Sequence, residues 1–413
     1  MSEGVLVVGA SLGGLRTAEQ LRAAGWRGPV TVVGDEPHMP YNRPPLSKEA
    51  LYGSVPFASV ALAPRPSTAD VDWRLGRRVT GVRLTDRVAV LDGGEELRFA
   101  ALVAATGLRP RRLRCPGPVG PASGRHVLRT LADARSLRAA LVRPGTRLVV
   151  VGAGFIGCEV AATAVRLGVR EVTVADVEPL PMLRPLGERM AAALLRRHRA
   201  RGVRFELGAG VAAFAGEGRV TGVVLGDGRT LPADVVVECV GAAPNTEWLQ
   251  GNGLDLTDGV RVDGRLRAGG LPHALAVGDV VRFPDPRHGG LSRRVEHWSM
   301  PGDSARHAAR VLAAHLAGGG RPGDASDDPA PFAPLPSFWS DQHDFRLQSF
   351  GSPDLGTDDV RVLEGDLDGD GDAVAGYHAD GRLVGVVALG GPGAAAAAGR
   401  HRPLLKLQSA PTV

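Results

Sequence analysis

The sequence predicts an α/β protein: two Rossmann-like dinucleotide-binding domains and a small α+β domain at the C-terminal end. Three observations carry this. A glycine fingerprint occurs twice, as Gly9-Ala10-Ser11-Leu12-Gly13-Gly14 and as Gly152-Ala153-Gly154-Phe155-Ile156-Gly157. Each copy follows a short apolar run, 5–8 or 149–151, and opens a segment with helical apolar spacing. The chain has 413 residues, 44% hydrophobic and 23% charged, which is enough for two or three domains with ample cores.

Residues 5–8 read as a buried strand, because four consecutive apolar residues lead into the glycine turn. Residues 13–24 read as a helix and 30–33 as the next strand, followed by Asp35 and Glu36. An acid at that place commonly holds a ribose diol. Residues 102–105 form another short buried strand, ending in Thr106-Gly107. The segment 111–124 is rich in Pro, Gly and Arg and reads as a connection. A second unit begins near Arg125 and repeats the pattern: strand, fingerprint, helix, then strand 171–175 with Asp176 after it. Residues 235–240 are a buried strand ending at Gly241, and 274–277 lead into Gly278-Asp279. Residues 318–336 have few apolar side chains and read as a linker or long surface loop. Strand-like stretches at 346–350 and 384–387 predict the small α+β unit. The run 394–398 is low in complexity, and no structure is expected over the last twenty residues.

The second fingerprint has glycine at all three required positions, Gly152, Gly154 and Gly157. Its turn points helix N-terminal amides at a pyrophosphate, and the helix dipole favours the anion. Two such turns in one chain imply two dinucleotides, with electrons passing between them. The first copy carries Ser11 where the middle glycine is expected, adding a side chain where the backbone must approach phosphate. Asp176 is able to accept both ribose hydroxyls of NADH and would repel the 2′-phosphate of NADPH, so NADH is the expected donor. The alternative for Asp176 is an acid that caps a strand end.

Residues 40–48, Pro-Tyr-Asn-Arg-Pro-Pro-Leu-Ser-Lys, are rigid and polar. The prolines fix φ and lower the entropic cost of holding Arg43 and Lys48 toward a ligand. Only two of the 49 basic residues are lysine, Lys48 and Lys406, so a lysine at 48 points to a need for a compact ammonium. Glu159 lies on the first turn after the second fingerprint, where the helix dipole favours an acid in any case.

Other chemistries are disfavoured. Cys115, Cys158 and Cys239 are scattered and form no Cys-x-x-Cys pair, which argues against a disulfide framework or a dithiol relay. No metal site is expected. No cluster has zinc spacing, and the calcium-like start at 366–371 has Tyr377 at its twelfth position, where a bidentate Glu is required. Net charge is only +5, with Arg and acids interspersed, so no nucleic-acid footprint emerges. The Arg-rich spots at 109–114 and at Arg293-Arg294 read individually as solvated surface arginine, and as patches they would suit an acidic protein partner. No apolar run approaches the ~20 residues of a membrane span. The first strand, at Val5, starts too early for a secretory signal peptide, and a cytoplasmic location is expected.

These motifs run together over nearly the whole chain. They are the first fingerprint, 40–48, Ala105-Thr106-Gly107, Leu128-Arg129-Thr130, 152–159, 240–249, Ala276-Val277-Gly278-Asp279, Glu296-His297-Trp298 and Phe338-Trp339-Ser340-Asp341-Gln342. The set resembles the FAD- and NADH-dependent ferredoxin reductases of oxygenase systems, of the putidaredoxin-reductase type, relatives of glutathione reductase and apoptosis-inducing factor.

The resemblance implies an FAD domain over 1–110 and 245–318, an inserted NAD domain over 111–244, and a C-terminal interface domain over 319–413 that closes over the flavin. It assigns Gly9, Ser11, Gly13, Gly14, Asp35, Ala105, Thr106, Gly107, Gly278, Asp279, Glu296 and His297 to cofactor binding, with Asp279 holding the ribityl chain. Gly152, Gly154, Gly157, Asp176 and Gly241 fall to the cofactors as well. Arg43 and Lys48 match residues lining the flavin, Lys48 and Glu159 a Lys–Glu pair near its N5, and Trp298 an aromatic beside isoalloxazine and nicotinamide. The implied activity is hydride transfer from NADH to FAD, then single electrons to a small acidic [2Fe–2S] ferredoxin serving a cytochrome P450 or Rieske oxygenase. The alternatives are an NADH oxidase, or a flavin-bound signalling or scaffold protein. Two departures are expected to matter: Met300-Pro301 interrupting the helix start after Trp298, and a divergent tail beyond Asp380.

Overall fold

The structure is a computed structural model that describes residues 3–53, 56–318 and 330–407. The centre of the expected linker at 318–336 therefore lies outside the described residues, as does the end of the tail. The chain forms two compact units, one of Met1–Asn42, Phe57–Arg109 and Ala243–Pro336, the other of Arg43–Pro56, Pro110–Ala242 and Ser337–Val413.

The first unit is organised by a five-stranded parallel sheet in the order Ala274–Ala276, Ala101–Ala104, Val5–Val8, Val30–Gly34, Asp72–Leu75. Val5 sits between Val30 and Ala101, and all four residues of that central strand are buried. Continuous apolar runs suit this position, since a parallel strand is covered on both faces. The helix Leu12–Ala23 follows the first strand and packs against the helix Met300–Leu316. A three-stranded antiparallel meander, Val79–Arg83, Val88–Leu91 and Glu96–Arg98, completes the plan.

Pro301 does not interrupt the helix Met300–Leu316; it occupies the first turn. A first-turn amide has no intrahelical partner, so the missing N–H costs nothing there and the fixed φ suits the helix.

The second unit repeats the plan. Its parallel sheet runs Arg204–Leu207, Glu171–Asp176, Arg147–Val151, Val235–Glu238, Arg125–His126, with the helix Phe155–Arg166 after the central strand. Its meander is Val211–Ala215, Gly222–Leu225 and Thr230–Pro232. Beside it stands a five-stranded antiparallel sheet, Ser337–Gln342, Phe345–Gly351, Arg382–Gly390, Ala373–Ala379, Val360–Gly365. Phe338, Phe345, Leu347 and Tyr377 of that sheet share a core with Cys158, Leu186 and Met190 of the helices. The acidic run at 366–371 falls in the loop joining Val360–Gly365 to Ala373–Ala379.

One expectation fails. Of the last twenty residues, 394–407 belong to the helix Pro392–Leu407, which lies on the strands Arg382–Gly390 and Phe345–Gly351. Alanine is the strongest helix former, and Ala394, Ala397, Ala398 and Leu405 are buried. Low complexity was here an apolar stripe on a helix-forming background.

Candidate functional site: two glycine cradles and a buried lysine–glutamate pair

In the first unit the strand Val5–Val8 ends at Gly9, whose φ is 119°. A Cβ on Gly9 would lie 2.2 Å from the Ala105 carbonyl oxygen, and one on Gly14 would lie 2.0 Å from the Gly9 carbonyl oxygen. Neither position accepts any other residue. Gly13 is less crowded: a Cβ there would meet Ala105 and Val277 at ordinary contact. Ser11 is the N-cap of the helix, with extended backbone (φ −105°), so its side chain imposes no strain. Asp35 is exposed, with Arg78 at 3.7 Å, while its neighbour Glu36 accepts the Tyr41 hydroxyl at 2.5 Å.

Of the other predicted residues of this unit, Thr106, Gly107 and Gly278 follow strands of the same sheet, whereas Glu296, His297 and Trp298 follow the strand Leu291–Arg294 of another. Thr106 donates its hydroxyl to the Asn245 carbonyl at 2.7 Å, and the Asn245 side chain returns a bond to the Thr106 carbonyl. Gly107 and Gly278 have φ of 59° and 76°. The Gly278 amide donates to Ser304, and Asp279 sits in the single 3-10 turn that follows. Glu296 accepts from Arg294 at 2.6 Å, and His297 precedes Trp298. The Trp298 ring is 42% exposed and its Nε1–H donates to Asn42 at 3.0 Å.

The second unit rebuilds the first cradle almost atom for atom. Gly152 has φ 105°, and a Cβ on it would lie 2.3 Å from the Cys239 carbonyl oxygen; one on Gly157 would lie 2.0 Å from the Gly152 carbonyl oxygen. Gly154 is the N-cap of the helix Phe155–Arg166, and a Cβ there would meet nothing within 4 Å. It thus leaves open space at the helix N-terminus. Asp176 stands at the end of its strand. One oxygen accepts the Ala153 amide at 2.5 Å and the other the Glu178 amide at 2.9 Å. Each oxygen keeps a further lone pair, so the half-buried acid braces the turn and retains acceptor capacity. Gly241 has φ 90° and its carbonyl accepts the Arg111 amide.

Residues 43–56 belong to this second unit. Arg43 donates to the Arg129 carbonyl at 2.6 Å. Lys48 Nζ lies 2.7 Å from Glu159 Oε2, with the side chains 12% and 7% exposed. Lys48 also donates to the Pro44 carbonyl at 3.1 Å. Glu159 Oε2 accepts the Ser47 hydroxyl at 2.5 Å, and its Oε1 accepts the Ser340 hydroxyl at 2.6 Å. The pair that the resemblance implied is therefore formed, and it is buried. Ser47 and Ser340 stand in the motifs 40–48 and 338–342 but were given no role of their own from sequence. The one available signal was a polar residue at an inward position of the strand Ser337–Gln342.

Both cradles fit dinucleotides. The close approaches require glycine, each turn ends at a helix N-terminus, and an acid stands at the end of the second strand, as Asp176, or directly after it, as Asp35. Cys115, Cys158 and Cys239 are free thiols, and burial raises Cys158 and Cys239, the latter to about 12. A group this reluctant to ionise is a poor nucleophile.

Comparison with known proteins agrees. Residues 3–305 match the pyridine nucleotide-disulphide oxidoreductase family, and residues 337–409 match the reductase C-terminal domain. The chain is 38% identical over 396 residues to the ferredoxin reductase component of chlorobenzene dioxygenase from Cupriavidus sp. (strain PS12), spanning 95% of this chain and 90% of that one. It is 37% identical over 352 residues to the ferredoxin–NAD(+) reductase component of the biphenyl dioxygenase system of Paraburkholderia xenovorans (strain LB400), spanning 85% and 81%. Among solved structures, the covalent putidaredoxin reductase–putidaredoxin complex matches with TM-score 0.86 and 31% identity, over 100% of this chain and 97% of that one. By its motifs, its duplicated sheet plan and its likeness over nearly its full length, the chain belongs to the pyridine nucleotide-disulphide oxidoreductase family.

Proposed function

We propose that the protein is an NADH-dependent ferredoxin reductase, supplying electrons through a [2Fe–2S] ferredoxin to a cytochrome P450 or Rieske oxygenase. The observation that carries this is the duplicated glycine cradle, which provides for two dinucleotides in one chain. FAD, when bound, supplies the chemistry that converts a hydride from NADH into single electrons.

The first cradle would hold FAD. Gly9, Gly13 and Gly14 let the backbone approach the pyrophosphate, Ser11 adds a hydroxyl at the helix N-terminus, and Asp35 faces the ribose. Ala105, Thr106 and Gly107 border the cofactor, Gly278 turns the chain, and Asp279 takes the ribityl chain. Glu296, His297 and Trp298 flank the ring system. The second cradle would hold NADH, with Gly152, Gly154 and Gly157 at its pyrophosphate, Asp176 at its ribose and Gly241 closing the turn. Arg43 and Lys48 supply positive charge at the flavin. Glu159 holds the Lys48 ammonium in place, and a fixed positive charge favours hydride acceptance. We place the protein in the cytoplasm, where NADH is made and unpaired thiols stay reduced. None of the described helices is long and apolar enough to cross a membrane.

The test is the visible spectrum of the purified protein, followed by anaerobic titration with NADH. Bleaching of a flavin band, and cytochrome c reduction that depends on added [2Fe–2S] ferredoxin, are expected. Rapid NADH consumption without ferredoxin would favour an oxidase. A long-lived reduced state that no ferredoxin discharges would favour a signalling protein. A preparation that stays colourless after soaking with flavin would end the proposal. Lys48→Ala is expected to slow flavin reduction about tenfold, the effect of losing ~1.4 kcal/mol of transition-state stabilisation.

A further inference from the structure

A row of hydrogen bonds leads away from the Lys48–Glu159 pair inside the second unit. Ser340 Oγ lies 2.6 Å from Glu159 Oε1, and Gln342 Nε2 lies 2.9 Å from Ser340 Oγ. Gln342 Oε1 lies 2.7 Å from His198 Nε2, and His198 Nδ1 lies 3.0 Å from His343 Nε2. Ser340, Gln342 and His198 are at most 1% exposed, among the apolar side chains of Phe345, Leu347 and Leu194. The two-residue period of the strand Ser337–Gln342 puts Ser340 and Gln342 on one inward face. His198 reaches them from the helix Leu183–Ala200, and His343 occupies the hairpin turn with φ 51°. Burying three polar side chains in such a core is costly unless every bond is made. Packing alone would be served better by apolar residues of the same shape.

We propose that Ser340, Gln342, His198 and His343 are positioning residues for the Lys48–Glu159 pair, forming a one-way row of hydrogen bonds whose direction is set by the Glu159 carboxylate. A carboxylate paired with lysine only accepts, so the Ser340 proton is committed to it. Ser340 Oγ must then accept, which turns the Gln342 amino group toward it and the Gln342 carbonyl toward His198. That carbonyl requires a proton on His198 Nε2, leaving Nδ1 bare to accept from His343 Nε2–H. Every dipole in the row thus points its positive end at Glu159. Burial pulls His198 down to about 4 and His343 to about 3, so both rings are neutral at neutral pH, as the row requires. The row does not carry protons, since Gln342 would have to pass through its imidic form. It fixes the carboxylate, and through it the Lys48 ammonium. Only the kinetic consequence rests on the assignment of Lys48 to the flavin.

Histidine-selective 15N NMR of the holoenzyme reads the tautomers directly, with His198 assigned by the loss of its signals in His198→Asn. The wild-type protein is expected to show His198 protonated at Nε2 and bare at Nδ1. In Ser340→Ala the Gln342 amide loses its anchor, and the two ring shifts of His198 should converge toward a tautomer mixture. Ser340→Thr keeps the hydroxyl and should restore them. In stopped flow, Ser340→Ala should reduce flavin several-fold more slowly at an unchanged Kd for NADH, with Ser340→Thr recovering the rate. A wild-type His198 protonated at Nδ1 overturns the proposal, and that result needs no variant to fold. Wild-type shifts and rates in Ser340→Ala also overturn it. If Lys48→Ala leaves flavin reduction unchanged, the assignment of Lys48 falls, while the tautomers judge the row separately.

Discussion

His198 and His343 make stability depend on pH through desolvation. An exposed histidine titrates near 6.5, whereas His198 in the fold titrates at about 4. Between those values the unfolded chain binds a proton that the folded chain refuses. Stability therefore falls as pH drops from about 6.5 toward 4. The Tm is expected to decline over that window, and His343→Asn should flatten the decline; a Tm flat down to pH 4.5 in the wild type would contradict this. Asp234 acts lower. Its hydrogen bond from Arg147 holds it at about 2, so its contribution is present above the usual carboxylate range and is lost as pH falls toward 2. Asp176 makes a separate prediction. Its carboxylate is braced by the Ala153 amide, and under the proposed assignment it would face the ribose, so kcat/KM should favour NADH over NADPH by tenfold or more, and Asp176→Ala should narrow the ratio. A wild-type preference for NADPH would remove the ribose assignment.

The strand–turn–helix of each cradle separates folding from ligand binding within a few residues. Gly152→Ala forces a methyl to within 2.3 Å of the Cys239 carbonyl oxygen at φ 105°, and should lower the Tm sharply. Gly154→Ala has normal φ and empty space, so the Tm should hold while the Kd for NADH rises. Equal losses of Tm in both variants would refute this division. The same comparison explains Ser11. It occupies the position of Gly154 in the first cradle, with extended backbone, so the fingerprint tolerates a side chain there. The Pro392–Leu407 helix shows the opposite limit of sequence reading. Its alanines carry strong helix propensity but little hydrophobic contrast, and only the sheet beneath reveals the buried stripe.

For the molecule as a whole, one plan of parallel sheet, cradle helix and antiparallel meander is used twice, once in each unit. Duplication suits a reaction in which two dinucleotides of similar shape are bound for different ends. With a net charge of +5 and the acidic ferredoxin proposed as partner, electron delivery should depend on salt. Raising ionic strength from about 50 mM to about 500 mM should depress ferredoxin-dependent cytochrome c reduction, while NADH reduction of small acceptors stays level. Insensitivity of the ferredoxin-dependent rate would count against an electrostatic partner surface.

The cradles, their strands and their acids were legible in the residues, because a glycine forced by a carbonyl at van der Waals distance leaves a fixed spacing, and a strand buried on both faces leaves an unbroken apolar run. Pairing of Lys48 with Glu159 was legible only through family resemblance. The links from Glu159 through Ser340 and Gln342 to His198 were not legible at all. Those residues lie 39 to 183 positions from Glu159, and a serine or glutamine in a strand has no spacing of its own. Folding brings them to one buried face, and the cost of leaving a polar group unbonded there makes each bond obligatory.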